Sequence, residues 1–236
     1  LEAVYGIPGP EGEENMTSLN PTKNTVNFQS SFSLNNTYFN KFNLQGAISE
    51  YNHSERTGDG NNHNINFFSD LYEIKTSLNH KSIIDSNSEG LIGFHFQNYD
   101  QGALGQEESH LVHTRTSSFA LFALESFNFD LFDLDVGGRL ESVNLRNTSM
   151  EKGFFPGAFS STIKREVFTN NTVFGGFDFT ERAPNAVELF ANGPHHALEQ
   201  FEVGDSNIGV ETSYNFSLGY SYNDGLDTLK IETYYN

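Results

Sequence analysis

The chain has 236 residues, a formal net charge of -18 and no cysteine. Because 31 acidic residues face only 13 basic ones, the protein offers no positive field to nucleic acid, and cationic cargo is the better electrostatic match. Without cysteine there can be no disulfide framework, no thiolate metal site and no cysteine nucleophile.

The composition favours strands over helices. The chain contains 23 Phe and 10 Tyr residues, and these replace much of the usual Leu, Ile and Val. No apolar run reaches the length of about 18 residues that a transmembrane helix needs. There is also no signal-peptide pattern at Leu1, so an exported chain is expected to be mature or to begin within a longer gene.

Apolar and polar side chains alternate along most of the chain, beginning near residue 25. Val26, Phe28 and Phe32 alternate with asparagine, glutamine and serine, and the same period of two recurs after residues 38 and 65. It is strictest over 213–223, where large apolar residues alternate with serine, asparagine and glycine. This period predicts strands with one apolar face. Ten strands are predicted, at 25–35, 38–51, 65–79, 82–98, 114–128, 132–146, 154–165, 168–181, 209–223 and 227–236.

The connections between these strands alternate between short and long. Short breaks are predicted near 35–36, 80–81, 130–131, 165–166 and 223–225, and longer polar stretches at 52–64, 99–113, 146–153 and 182–208. Asp224-Gly225 predicts a two-residue hairpin, because these residues tolerate positive φ angles. Near Asp130 the apolar positions change from odd to even numbers, which predicts another tight turn.

Tight turns at one end and long loops at the other favour an all-β, antiparallel, up-and-down transmembrane barrel over a soluble sandwich. Most of the predicted strands are long enough to cross a bilayer at a tilt, which takes about 9 to 11 residues. Since no linker or low-complexity tract divides the chain, we expect residues 1–236 to form a single barrel domain.

Histidines in the long predicted loops are the candidate metal ligands. His195 and His196 lie close in sequence to Glu188, Glu199 and Glu202. Imidazole suits zinc, and carboxylates add negative charge. The alternative is that these loop histidines are solvated polar side chains with no ligand.

Two further loops carry histidine. One contains Glu107, Glu108, His110 and His113, and the other places His53 and His63 on either side of Gly58-Asp59-Gly60. Neither loop has a helical pattern that would fix the histidines on one face. No Gly-x-Ser-x-Gly or His-Glu-x-x-His motif occurs, so the sequence predicts neither an enzyme nor a resident cofactor.

The most distinctive stretch runs from Arg182 to Ser213. It contains Arg182-Ala183-Pro184, Glu188-Leu189-Phe190, Gly193-Pro194-His195, Phe201-Glu202-Val203-Gly204-Asp205 and Glu211-Thr212-Ser213. In this order the motifs resemble the barrel of TonB-dependent outer-membrane receptors. Further similar segments are Tyr5-Gly6-Ile7-Pro8-Gly9, Thr114-Arg115-Thr116 through Ala123-Leu124-Glu125, and Gly137-Gly138-Arg139-Leu140-Glu141.

The resemblance implies a barrel of about 22 strands in the bacterial outer membrane, closed by an N-terminal plug on which a periplasmic TonB protein pulls. No plug, coupling box or closing strand is recognisable in this sequence. Ten strands alone would leave two open edges in lipid. We therefore expect a fragment of a larger barrel, without the plug.

Tyr5-Gly6-Ile7-Pro8-Gly9 and Asn192-Gly193-Pro194-His195 are similar to zinc-uptake receptors, in which loop histidines and acids capture metal. This implies active import of a metal ion or complex, with zinc as the favoured cargo and His195 as a ligand. The alternatives are a siderophore, haem or cobalamin receptor, and a passive pore or surface adhesin. The expected partners are outer-membrane lipid, TonB and the cargo.

Part of the Arg182 motif is expected to shape the loop rather than bind cargo. Pro184 removes a backbone donor and would end the preceding strand. Glu188, Leu189 and Phe190 would then form a short turn that packs the loop over the barrel mouth, up to Gly193.

Overall fold

A computed structural model describes residues 3–8, 14–57, 64–81, 87–105, 109–195 and 200–236. The elements are β1 (Ala3–Pro8), β2 (Glu14–Ser33), β3 (Phe39–Thr57), β4 (Asn64–Lys81), β5 (Ser88–Gly105), β6 (Thr114–Asn128), β7 (Asp133–Arg146), β8 (Glu151–Phe154), β9 (Gly157–Phe168), β10 (Asn171–Arg182), α1 (Ala186–Phe190), β11 (Asn192–His195), β12 (Gln200–Val203), β13 (Glu211–Asn223) and β14 (Thr228–Tyr235).

The strands form one long antiparallel meander. Its order is β1-β2-β3-β4-β5-β6-β7-β9-β10-β13-β14, with β8 added to β7, while β11 and β12 form a separate hairpin. Within the described residues β1 and β14 are the two edges, so the sheet does not close on itself. Among those residues, no helix is long and apolar enough to cross a membrane.

All ten predicted strands are present, but several extend further than the alternation indicates. β2 begins at Glu14, β3 runs to Thr57 and β5 runs to Gly105. The extensions of β3 and β5 cross stretches predicted as loops, because backbone pairing continues where the apolar alternation ends, and that of β2 covers residues for which no element was predicted. Four short strands and α1 lie in segments where no regular element was predicted.

The turns are partly as predicted. The turn near Asp130 is confirmed, with the Phe129 N–H donating to the Phe132 carbonyl at 2.9 Å. The break predicted at 165–166 is wrong, because β9 continues to Phe168 and the chain reverses at Asn170, whose φ of 67° asparagine tolerates.

The last hairpin turn is centred one residue later than the Asp224-Gly225 pair predicts. The Asp224 N–H donates to the Asp227 carbonyl at 3.3 Å, which leaves Gly225 and Leu226 at the tip. Oδ1 of Asp224 accepts from the N–H groups of Leu226 and Asp227 at 3.0 and 2.8 Å. Its side chain therefore starts the turn rather than occupying a central position.

The register brings the apolar side chains of successive strands to one side of the sheet, which we call the apolar face. Ile74 is the register partner of Phe96, and Phe96 that of Phe119. Farther along, the Phe177 and Phe216 rings lie 5.0 Å apart. Because strand side chains alternate, these apolar side chains form one band along a single face of the sheet.

The opposite side, the polar face, is held by hydrogen bonds and ion pairs. Nδ2 of Asn43 donates to Oδ1 of Asn79 at 2.7 Å, and the Lys164 ammonium lies 2.6 Å from the Asp135 carboxylate. The main buried hydrophobic cluster lies at the long-loop end of this face. It consists of Leu145, Ala186, Leu189 and Phe190, with Val112, Val143 and Phe154 packed against it.

Candidate metal centre

Arg182 ties together the two ends of the longest connection. It is the last residue of β10, and its Nη2 lies 2.9 Å from Oε1 of Glu188 in α1 and 2.6 Å from Oε2 of Glu211 at the start of β13. Charge-assisted pairs of this kind fix geometry as well as adding energy. The connection is therefore held to the strand ends before it reaches β11.

The short helix α1 begins with a capping box. Oδ1 of Asn185 accepts from the Glu188 N–H at 2.9 Å, and Oε2 of Glu188 accepts from the Asn185 N–H at 2.7 Å. Arg182, and then this backbone N–H, holds the pKa of the Glu188 carboxyl below its usual range. Glu188 is thus committed to the loop structure and does not join the metal cluster described below.

Loop 109–113, α1, β11 and β12 pack together as one unit, which we call the cap (residues 109–113, 183–195 and 200–205). The His110 N–H donates to the Pro194 carbonyl at 3.2 Å, and the Asn192 N–H donates to the His110 carbonyl at 3.4 Å. The Gly204 N–H donates to the Ala191 carbonyl at 2.7 Å. Backbone contacts therefore join loop 109–113 to a hairpin more than eighty residues away in sequence.

Three side chains of the cap converge on a metal-competent cluster. These are His110, His195 and Glu202, whose candidate ligand atoms all lie within 4.8 Å of one another. Nδ1 of His195 lies 2.7 Å from Oε1 of Glu202, and the His110 and His195 rings stack at 4.2 Å between centroids. The fold thus joins one ligand from each of three separate segments.

His110 is the most buried member of the cluster. Its exposed fraction is 8%, and its Nδ1 has no hydrogen-bond partner in the structure. Burial, and next the nearby His195, lowers the pKa of His110 and favours the neutral imidazole that binds metal. The hydrogen bond from His195 lowers the pKa of Glu202, so this carboxylate stays ionised.

The structure separates His113 from this cluster. Its Nε2 lies 2.7 Å from Oδ1 of Asp100, and its ring meets Phe68 edge-on. Asp100 and Phe68 occupy even positions of their strands, like the residues of the apolar face, so His113 lies on that side of the sheet. The other predicted loop ligands, Glu107, Glu108, His196 and Glu199, and the flanking His63, lie outside the described residues.

Two residues near the cluster were not among the predicted site residues. The Phe67 ring contacts the rings of both His53 and His110, and Oε1 of Glu55 lies 3.4 Å from Nε2 of His53. The sequence does carry a signal, since His53 and Glu55 are two residues apart and must share one face of a strand. Their position in a predicted loop concealed it.

Beneath α1, a cavity of about 330 Å³ separates the cap from the polar face. Its wall includes Gln97, Tyr99, Ser118 and Glu141. Since one water occupies about 30 Å³ of liquid, the space can hold several waters between α1 and the polar face.

The comparisons with known proteins agree with this architecture. A family model described as TonB dependent receptor-like, beta-barrel, matches residues 3–236. The chain belongs to this family. As part of a TonB-dependent receptor barrel, it contacts lipid with its apolar face and lines the lumen with its polar face.

Solved structures of three transporters and receptors share the fold. The copper transporter OprC has a TM-score of 0.70 and 13% identity, and the match covers 99% of this chain and 43% of OprC. A double mutant of the Serratia marcescens hemophore receptor HasR, in complex with its hemophore HasA and heme, has a TM-score of 0.74 and 10% identity, with 99% of this chain and 44% of that chain covered. The FrpB iron transporter from Neisseria meningitidis has a TM-score of 0.69 and 11% identity, with 94% of this chain and 37% of that chain covered. The chain thus spans less than half the length of these proteins.

Proposed function

We propose that this chain is the barrel portion of an outer-membrane receptor that imports a divalent metal ion, with zinc as the preferred cargo and energy from the TonB system. The cluster of His110, His195 and Glu202 carries the proposal. The family and the neighbours that transport copper or iron support a role in metal uptake. The cap would then face the cell exterior, because it is built from the long loops, and long loops are extracellular in such barrels.

The donor set suits zinc. Two imidazoles and one carboxylate are common zinc ligands, and three protein ligands leave a coordination position open for exchange. A tetrahedral zinc with bonds of about 2.0 Å needs ligand atoms roughly 3.3 Å apart. Small side-chain rotations from the present spacing, which is at most 4.8 Å, would reach that geometry.

Metal binding would also satisfy the buried nitrogen of His110, which otherwise loses its hydrogen bond to water. The net charge of -18 adds a field that attracts cations to the surface. A bare ion is favoured over an organic chelate because the three ligands converge on a space the size of a single ion.

The test is zinc accumulation in cells that produce the full-length receptor as their only high-affinity zinc importer. We expect His195→Ala to lower accumulation at least tenfold at limiting zinc. His113→Ala is the matched control, since it removes a neighbouring loop histidine outside the cluster and should leave accumulation unchanged.

The other outcomes separate the alternatives. Normal zinc accumulation in the His195→Ala variant would remove the cluster from the uptake route. Accumulation of a ferric chelate, haem or cobalamin, but not of zinc, would show that the imported cargo is that compound and not zinc. Zinc entry that persists after the proton gradient is dissipated would show a passive pore rather than a TonB-driven receptor.

A further inference from the structure

A second histidine and carboxylate pair lies on the polar face of β3. Nε2 of His53 is 3.4 Å from Oε1 of Glu55, and their side chains are only 19% and 15% exposed. Nδ1 of His53 is buried and has no hydrogen-bond partner in the structure. The His53 ring therefore has one nitrogen beside a carboxylate and its other nitrogen buried without a hydrogen-bond partner.

One phenylalanine ring contacts both groups. The rings of His53 and Phe67 stack at 4.7 Å with an interplanar angle of 8°, and the Phe67 ring also lies 6.2 Å from that of His110. His110 in turn stacks on His195 at 4.2 Å. These four rings form a continuous file that runs from the lumenal wall to the cap.

The ends of this file have the same chemistry. Glu55 accompanies His53 at the wall, and Glu202 accompanies His195 in the cap. Phe67 offers no ligand atom. His53 and Glu55 do not belong to the group of ligand atoms that lie within 4.8 Å of one another in the cap, so one ion with bonds of about 2 Å would not bind both sets.

We propose that His53 and Glu55 form a second binding station for the same divalent cation, which receives it from the cluster of His110, His195 and Glu202. This inference rests on the proposed function. Two protein ligands hold an ion more weakly than three, so the wall station binds the ion with lower affinity. It comes second on the inward route because it lies on the lumenal wall rather than in the cap. Phe67 contacts the histidine of each station and offers no ligand to either.

Electrostatics makes the two stations interdependent. The charge of Glu55 already acts on His110. Two divalent cations at the two stations would therefore repel each other, and a second ion arriving at the cap would promote release of the first from the wall. Conduction through adjacent sites in channels depends on the same balance of binding and repulsion.

The test counts zinc equivalents bound to the purified full-length receptor in detergent micelles, by equilibrium dialysis and elemental analysis. His53→Phe keeps a ring in the file but removes both ligand nitrogens. It should bind one equivalent fewer than wild type at saturating zinc, while the tightest equivalent keeps its affinity within about twofold. His113→Phe is the matched control and should bind the wild-type number.

A wild-type number of equivalents in the His53→Phe receptor would overturn the second station. So would loss of the tightest equivalent, because that result would place His53 on the same ion as the cap cluster. The proposed function is tested separately by His195→Ala, which should remove the tightest equivalent whether or not the wall station exists. Glu55→Gln should repeat the His53→Phe result without altering the ring file.

Discussion

Gly193 is the residue that allows the hairpin to approach loop 109–113 closely. A Cβ atom at this position would lie 2.6 Å from the carbonyl oxygen of Ser109 and 2.9 Å from the nitrogen of His110. These are backbone atoms, so they cannot rotate away as a side chain would. The contact sets the distance between the two histidines of the metal cluster.

Replacing Gly193 by alanine should therefore displace β11 and weaken zinc binding about tenfold or more, although no ligand is changed. Zinc titration of the purified receptor measures this effect. Gly209→Ala is the matched control, because a Cβ at Gly209 meets nothing within 4 Å. Equal zinc affinity in both variants would show that the close approach does not position the cluster.

The sequence predicts which residues are candidate metal ligands, but not which of them lie together in one site. His195 stands out because it follows Gly193-Pro194 in a distinctive motif, and His110 because it lies in an acidic loop. Their meeting depends on two backbone hydrogen bonds between distant segments, which no local pattern reveals. The same sequence reasoning grouped His113 with His110, yet the structure places them on opposite sides of the sheet.

The helix α1 is an element whose stability depends on one ion pair. Glu188 has a lowered pKa, so its pairing with Arg182 stabilises the cap above the ordinary carboxyl range and is lost as the pH falls through the lowered value. Both side chains are partly exposed, so the pair is worth less than about 1 kcal/mol.

Hydrogen exchange of residues 185–190 measures this dependence. Protection in the wild type should decrease in acid, whereas Glu188→Gln should show lower protection at neutral pH and little further change. Glu50→Gln, at an exposed strand position, is the control and should behave like the wild type. The same acid-dependent loss in Glu188→Gln would assign the titration to another group.

Glycine occurs in the sheet at a position that is covered by an aromatic ring from the neighbouring strand. The Phe28 ring of β2 lies over Gly46 of β3, in the space that a Cβ would occupy. Such pairs protect a glycine backbone within a strand.

We expect Gly46→Ala to displace Phe28 and destabilise the barrel by about 1–3 kcal/mol. Gly138→Ala is the matched control, since Gly138 shares the apolar face and a Cβ there meets nothing within 4 Å. Unfolding in denaturant, followed by the change in gel mobility, measures both variants. Equal stability would contradict the packing role of the ring.

Strand existence could be predicted from the sequence, and strand length could not. The apolar alternation marks the parts of β2, β3 and β5 that carry the apolar band. Their extensions pair through the backbone and have no alternation to detect. For the same reason β11 and β12 were not predicted, and only a short turn was predicted where α1 forms, since these elements are held by contacts with distant segments.

Over the whole molecule, the two faces of the sheet meet different solvents. Leu121 on the apolar face is 57% exposed in the isolated chain, and that surface would contact lipid in a membrane. Leu121→Arg should therefore cost about 2–4 kcal/mol in a bilayer. Gln97→Arg on the polar face is the control and should cost much less. Refolding into lipid vesicles measures both, and equal costs would contradict the assignment of faces.

The central claim is that His110, His195 and Glu202 bind the imported ion. Anomalous diffraction at the zinc edge, from crystals of the full-length receptor soaked in zinc, tests it most directly. We expect a peak about 2.0–2.2 Å from a nitrogen of each histidine and an oxygen of Glu202. Zinc bound elsewhere in the receptor, with no peak between these three side chains, would contradict it.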